Sequence, residues 1–113
     1  MNSLKEILEA KVKEINQNSA KKRQINKWIN GYRGKVICFQ VNKEAYHLVF
    51  EQGSVMLRHG NYSSCEFSYI GPQDAIVNII EGKDSAMSAG LKGVIKGWGS
   101  VNEAIEFEKL LRE

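Results

Sequence analysis

His47, His59, Cys38 and Cys65 are the side chains best suited to act as base, nucleophile or soft metal ligand, and their spacing organises none of these chemistries. The two histidines stand twelve residues apart, each in or beside a strand-like stretch, with no acid or thiol at a relay or ligand spacing. That fits hydrogen-bonded or surface rings better than acid–base catalysts. Neither cysteine has a helix start or a basic neighbour to lower its thiol pKa, which disfavours a nucleophilic role. Both lie in apolar, strand-like runs, and in regularly paired strands they fall on opposite faces. Two separate reduced thiols are expected, with no disulfide between them. Gly90, Gly93, Gly97 and Gly99 lack the strand–glycine–helix order, the Lys-Ser/Thr step and the acidic ribose partner of nucleotide loops. Structural glycines are expected instead. Gly97 is placed on the helix-facing side of its strand, where it permits either close packing or space for a ligand. The residues thus predict no catalytic site, no metal and no cofactor: the protein is not expected to be an enzyme.

Charge narrows the choice of partner. The 113 residues carry a net charge of +3, but residues 1–33 hold eight Lys/Arg against three Glu and the remainder holds eight against ten acids. This asymmetry suits an acidic partner or a transient contact with an anionic membrane, and Lys21-Lys22-Arg23 is either its contact point or simply a solvated helix face. Without a basic-plus-aromatic stripe or a reading motif, nucleic acid is not an expected partner. Trp28 and Trp98 fit core or half-buried positions, or, for an exposed Trp98, a membrane or partner contact. The length allows one domain, 1–113, with one modest core. No apolar run is long enough to cross a bilayer, Met1 to Lys13 is helical rather than signal-like, and Leu111-Arg112-Glu113 is not a peroxisomal address. A soluble, cytoplasmic protein is expected.

The elements follow from periodicity. Leu4, Ile7, Leu8, Val12 and Ile15 mark an amphipathic helix begun by a Ser3/Glu6 capping box. Asn16 to Ser19 interrupts it, and Ile25, Trp28 and Ile29 continue to a stop at Gly31, as a second helix or as one kinked helix. From Gly34 the period becomes two. Strands are expected around Ile37–Val41, Ala45–Phe50, Val55–Arg58 and Ser64–Ile70, with one sheet face buried and the other wet. Pro72 opens a helix with Asp74 in its first turn and an apolar stripe of Ala75, Ile76, Ile79 and Ile80, closed by Gly82. Residues 83–93 have room for a helical turn. A fifth strand, Gly93–Trp98, precedes a second capping box, Ser100/Glu103, and a last helix whose apolar set from Val101 to Leu111 is wider than one docking stripe.

The second half carries a resemblance. Its parts are the strand Cys65-Glu66-Phe67-Ser68-Tyr69, a helix holding Asp74 and running to Ile79-Ile80-Glu81-Gly82-Lys83, the small-residue stretch Ser85 to Gly90, and Gly93-Val94-Ile95-Lys96-Gly97-Trp98-Gly99 before a final amphipathic helix. Together they resemble the sterol carrier protein type two family of lipid-binding domains. The likeness covers nearly the whole chain in order of elements and about fifty residues in motif. It implies an α+β fold: one five-stranded, mostly antiparallel twisted sheet with helices packed on one face and an apolar tunnel between sheet and helices. It also implies non-catalytic binding or transfer of a lipid or similar apolar molecule. The lipid-binding wall would be Phe39, Tyr46, Leu48, Phe67, Ile76, Ile80, Met87, Leu91, Ile105 and Phe107, each of which is equally at home in a solid core. The chain departs from eukaryotic members in lacking their peroxisomal tail and in the glycines and lysines around its fifth strand, so a sterol is not specifically implied. Stand-alone domains of this kind also resemble accessory proteins of isoprenoid quinone metabolism and modules fused to enzymes. The alternative expectation is therefore an interaction or accessory module with a filled core, serving a partner protein such as a lipid- or quinone-metabolising enzyme.

Overall fold

A computed structural model describes residues 3–31 and 33–112. Met1 and Glu113, which entered the reading of the two termini, lie outside them. The elements run α1 (Leu4–Asn16), α2 (Ser19–Ile29), β1 (Lys35–Val41), β2 (Glu44–Glu51), β3 (Ser54–His59), β4 (Phe67–Ile70), α3 (Gln73–Ile80), α4 (Ala86–Leu91), β5 (Lys96–Gly99) and α5 (Val101–Arg112). The strands form one sheet in the order β3-β2-β1-β4-β5. The β1–β4 pair is parallel and the other three pairs are antiparallel.

The first two helices are separate. Asn18 leaves the helical region and its side chain accepts the Lys21 N–H, capping α2. Ser3 and Glu6 form the expected reciprocal box at the start of α1. α2 ends one residue earlier than expected, on Asn30 in the left-handed conformation at φ 45°. Lys21 does not join Lys22 and Arg23 on a solvated face. It turns inward, buried, with Nζ 3.7 Å from the Glu14 carboxylate.

Ile37, Phe39, Val41, Tyr46, Leu48, Phe50, Val55, Phe67 and Tyr69 share the helix-facing side and are buried. β1 begins early enough to include Lys35, which therefore points the same way. Its ammonium lies 2.5 Å from Glu103 of α5, which also accepts the Trp28 indole N–H at 3.0 Å. The second capping box is therefore only half formed. Ser100 Oγ accepts the Glu103 N–H at 3.4 Å, but the Glu103 carboxylate is drawn to Lys35 and the Ser100 N–H is donated to Glu66 O at 3.0 Å.

The opposite sheet face is not simply wet. To pass from β3 to β4 the chain must cross β2 and β1, and residues 60–66 do so as a strap over that face. Gly60 O lies 2.7 Å from His47 Nδ1, Tyr62 O accepts from Cys38 Sγ at 3.4 Å, and the Tyr62 ring lies against His47. Cys38 and His47 are buried beneath it. The strap also corrects the start of the fourth strand, which begins at Phe67 and not Ser64. The fifth is likewise shorter, Lys96–Gly99, because Gly93 takes a left-handed φ of 75° and Val94 N–H bonds back to Ala89 O.

Gly97 is required by close packing. A Cβ there would stand 2.5 Å from Cζ of the buried Phe67 ring. Gly97→Val is accordingly expected to destabilise the protein by about 1–3 kcal/mol through overpacking, measured by urea unfolding. A variant as stable as the parent would show that the Phe67 ring has room to move.

Candidate functional site

The exposed large apolar side chains are unevenly distributed. Among the described residues, Met87, Leu91, Val94, Trp98, Val101 and Ile105 all come from the segment spanning α4, β5 and the start of α5, against only Met56 and Tyr62 elsewhere. Scattered exposed apolar residues need no explanation, but a concentration of them marks a surface that meets something apolar.

Between α4 and α5 lies a groove of about 200 Å³, walled by Ala86, Met87, Val101, Ala104 and Ile105, with Ser85, Glu108 and Arg112 as its polar members. Met87 and Ile105 stand at its mouth, 58% and 39% exposed, while Ala104 and Glu108 are buried. Glu108 is tied from three sides. Its Oε2 accepts the Tyr69 hydroxyl at 2.6 Å and the Ala86 N–H at 3.0 Å, and Oε1 lies 3.9 Å from the Arg112 guanidinium. Burial first, then the adjacent Glu108 charge and hydrogen bond, raise the Tyr69 phenol pKa far above its usual value, so it stays a donor at any ordinary pH. One buried carboxylate thus joins β4, the first residue of α4 and the last turn of α5. α4 itself is only six residues long, capped by the Ser85 hydroxyl and flanked by Gly82 and Gly93, both at positive φ. Such a short helix is the least anchored wall of the groove.

Among the described residues, three further hollows have different linings. The one between α2 and α5 is walled by Gln24, Lys27, Trp28, Glu106, Lys109 and Leu110, and the one beside the strap includes Arg33, Glu51 and Tyr62. The third, between α1 and the sheet, is lined by Lys5, Glu9, Val12, Tyr46, Leu57 and His59. Charged side chains interrupt all three.

The ten wall residues expected from the sequence divide by position. Phe39, Leu48, Phe67, Ile76, Ile80 and Phe107 are buried in the continuous core. Tyr46 is buried at the edge of the α1 hollow, its hydroxyl bonded to Glu44 at 2.9 Å. Met87 and Ile105 line the α4–α5 groove, and Leu91 is the most exposed of the exposed apolar residues. Val101, Ala104, Glu108 and Arg112 were not singled out in the sequence. The width of the apolar face of α5 carried a signal for the first two, whereas Glu108 and Tyr69 are 39 residues apart and meet only through the fold. Among the described residues no three His, Cys, Asp or Glu side chains converge as metal ligands, and no helix is long and apolar enough to cross a membrane.

A five-stranded open sheet with its helices on one face and an apolar groove beside its last helix defines a small α+β domain of the sterol-carrier type. The chain belongs to the SCP-2 sterol transfer family, whose profile matches residues 6–112. Among curated proteins none matches the sequence significantly. Solved structures share the fold at low identity. The inverting sec-alkylsulfatase Pisa1 from Pseudomonas sp. matches with TM-score 0.68 and 16% identity over 81% of this chain, which spans only 14% of the sulfatase. The UbiJ-SCP2 ubiquinone synthesis protein matches with TM-score 0.67 and 15% identity, covering 88% of each chain. Apo sterol carrier protein 2 from Yarrowia lipolytica matches with TM-score 0.65 and 21% identity over 91% of this chain and 85% of that one.

Proposed function

We propose that the protein is a non-catalytic, cytoplasmic carrier that takes one apolar molecule into the groove between α4 and α5. The observation that carries this reading is the apolar wall of Ala86, Met87, Val101, Ala104 and Ile105, open to solvent within the largest concentration of exposed apolar side chains. Small-molecule pockets usually enclose about 300–1,000 Å³. At about 200 Å³ the groove is short of that range, so a long ligand enters by displacing α4. It then meets Met87, Leu91 and Ile105 first, and Phe67, Ile76, Ile80 and Phe107 as the opening deepens. Phe39, Tyr46 and Leu48 form the farther sheet wall. The exposed Lys22 and Arg23 supply a transient contact with an anionic membrane during loading.

The test is direct titration with palmitate and with 1-hexadecanol, read by native mass spectrometry and tryptophan fluorescence. Saturable one-to-one binding is expected. Ile105→Glu, which places a charge in the apolar wall, is expected to weaken it at least tenfold while leaving the circular dichroism spectrum unchanged. Absence of binding to either probe would sink the carrier reading.

The aromatic packing favours a second reading, with a filled core. Phe39, Phe50, Tyr69 and Phe107 pack ring against ring between the sheet and α5. The same fold then serves as an accessory module that holds a lipid- or quinone-metabolising enzyme, as the likeness to the ubiquinone synthesis protein supports. Stoichiometric co-purification of one enzyme by lipid-free protein distinguishes it from lipid carriage.

A further inference from the structure

Residues 85–105, which form α4, β5 and the start of α5, hold only three charged side chains, Lys92, Lys96 and Glu103. The one acid is turned inward. Its carboxylate takes the Lys35 ammonium and the Trp28 indole N–H. This stretch therefore presents two lysines to solvent among six exposed apolar side chains, with mostly Gly, Ser and Ala between them. Acids on the flanking elements do not restore the balance. Glu108 is buried under the Tyr69 hydroxyl, and Glu106 lies in the α2–α5 hollow, paired with Lys109. Asp84 alone comes near, 3.5 Å from the Lys92 ammonium, while also accepting the Ser85 N–H. So exposed a pair is weak in water and leaves Lys92 able to take another anion.

These side chains are neighbours. β5 is the last strand of the sheet, and α4 packs against both β5 and α5, so the segment forms one edge of the domain. Met87 and Leu91 are four residues apart on α4, and Met87 shares the groove lining with Val101 and Ile105. Lys96 and Trp98 are two residues apart on β5 and share one face. Leu91 is 85% exposed and Trp98 67%. A tryptophan beside lysines suits the headgroup layer of a bilayer. The indole body lies at the acyl boundary, while each lysine stem follows the apolar surface and its ammonium reaches phosphate. A protein partner fits less well, because the centres of protein interfaces are depleted of lysine. A second copy meeting this face would bring four lysines together with no outward acid.

We propose that the α4–β5 edge docks the protein on an anionic phospholipid bilayer, with Leu91, Val94 and Trp98 entering the headgroup layer and Lys92 and Lys96 taking lipid phosphates. The mouth of the α4–α5 groove, at Met87 and Ile105, belongs to the same edge, so docking turns it toward lipid. Only that last consequence rests on the carrier reading. Lys22 and Arg23 add attraction from α2, which has no exposed large apolar side chain to insert among its described residues.

The test uses the full chain, without fatty acid, and vesicles of phosphatidylglycerol and phosphatidylcholine in equal parts. Co-sedimentation is expected, and binding to phosphatidylcholine alone should be weaker by about tenfold. Tryptophan emission should shift to the blue and be quenched by lipids brominated on their acyl chains, and both changes should vanish in Trp98→Phe. Leu91→Asp, at a site too exposed to disturb folding, and Lys92→Gln/Lys96→Gln should each weaken binding by about tenfold. Lys22→Gln/Arg23→Gln should weaken it less and keep the bromolipid quenching. The proposal is overturned if anionic vesicles are not bound, if the Leu91 and lysine variants bind like the parent, or if Lys22→Gln/Arg23→Gln alone abolishes binding. It is equally overturned if light scattering shows a dimer that Leu91→Asp dissolves, which would give this edge to a second copy. Because no fatty acid is present, failure here leaves the palmitate titration to decide the carrier reading separately.

Discussion

Phe107→Ala is expected to lower the unfolding free energy by about 3–5 kcal/mol, measured by urea unfolding followed by circular dichroism. The ring is fully buried and joins otherwise separate parts of the core. It meets Phe50 at 5.7 Å, Phe39 at 5.9 Å, Tyr69 at 6.1 Å and Trp28 at 6.5 Å between centroids, linking α5 to three strands and to α2. Truncation removes the transfer free energy of the ring and leaves a cavity bounded by other rings, which are held by the sheet and collapse only partly. A domain of this size has about 5–15 kcal/mol in total, so the variant should approach the threshold of folding. The same experiment also separates a filled core from a tunnel. A loss under about 1 kcal/mol would mean that Phe107 borders space already present, and would favour deep ligand entry over solid packing.

The parts of this structure that were legible in the sequence are those set by neighbours along the chain. Ser3 and Glu6 find each other because nothing else competes for either side chain, and the alternation of Ile37, Phe39 and Val41 gives the buried face directly. Ser100 and Glu103 have the same local pattern with a different outcome, because Lys35, 68 residues away in the chain, takes the Glu103 carboxylate while Glu66 O takes the Ser100 N–H. The strap was hidden for a topological reason. Residues 60–66 resemble a turn and the start of a strand, and only the order β3-β2-β1-β4 forces them across two strands. That crossing buries Cys38 and His47 and frees Cys65 from strand parity. The candidate site was half visible: Met87 and Ile105 belong to local apolar patterns, whereas the Glu108–Tyr69 pair requires the register of β4 under α5.

That pair supports the other large expected effect. Glu108→Ala is expected to cost about 3 kcal/mol, more than Tyr69→Phe at about 1–2 kcal/mol, because it leaves both the Tyr69 hydroxyl and the Ala86 N–H without their acceptor. The double variant should cost less than the sum of the two, since each single change removes part of the same network. The pH dependence identifies the phenol. Below the ordinary tyrosine value near 10, the Tyr69 hydroxyl is protonated in both folded and unfolded chains and its contribution is fully present. Above that pH the unfolded chain releases the proton while the folded chain, with its raised pKa, retains it. Stability therefore falls as pH rises, by up to about 1.4 kcal/mol per pH unit from this group. Urea unfolding of the parent and of Tyr69→Phe between pH 7 and 11 should show a shallower alkaline decline in the variant. Parallel declines would mean that Tyr69 is not held in this bond. Because Ala86 is the first residue of α4, loss of the Glu108 acceptor should also release that helix, seen as faster amide hydrogen exchange across 86–91 than across α3. Unchanged exchange would place the restraint on α4 elsewhere and remove the basis for treating it as the moving wall of the groove.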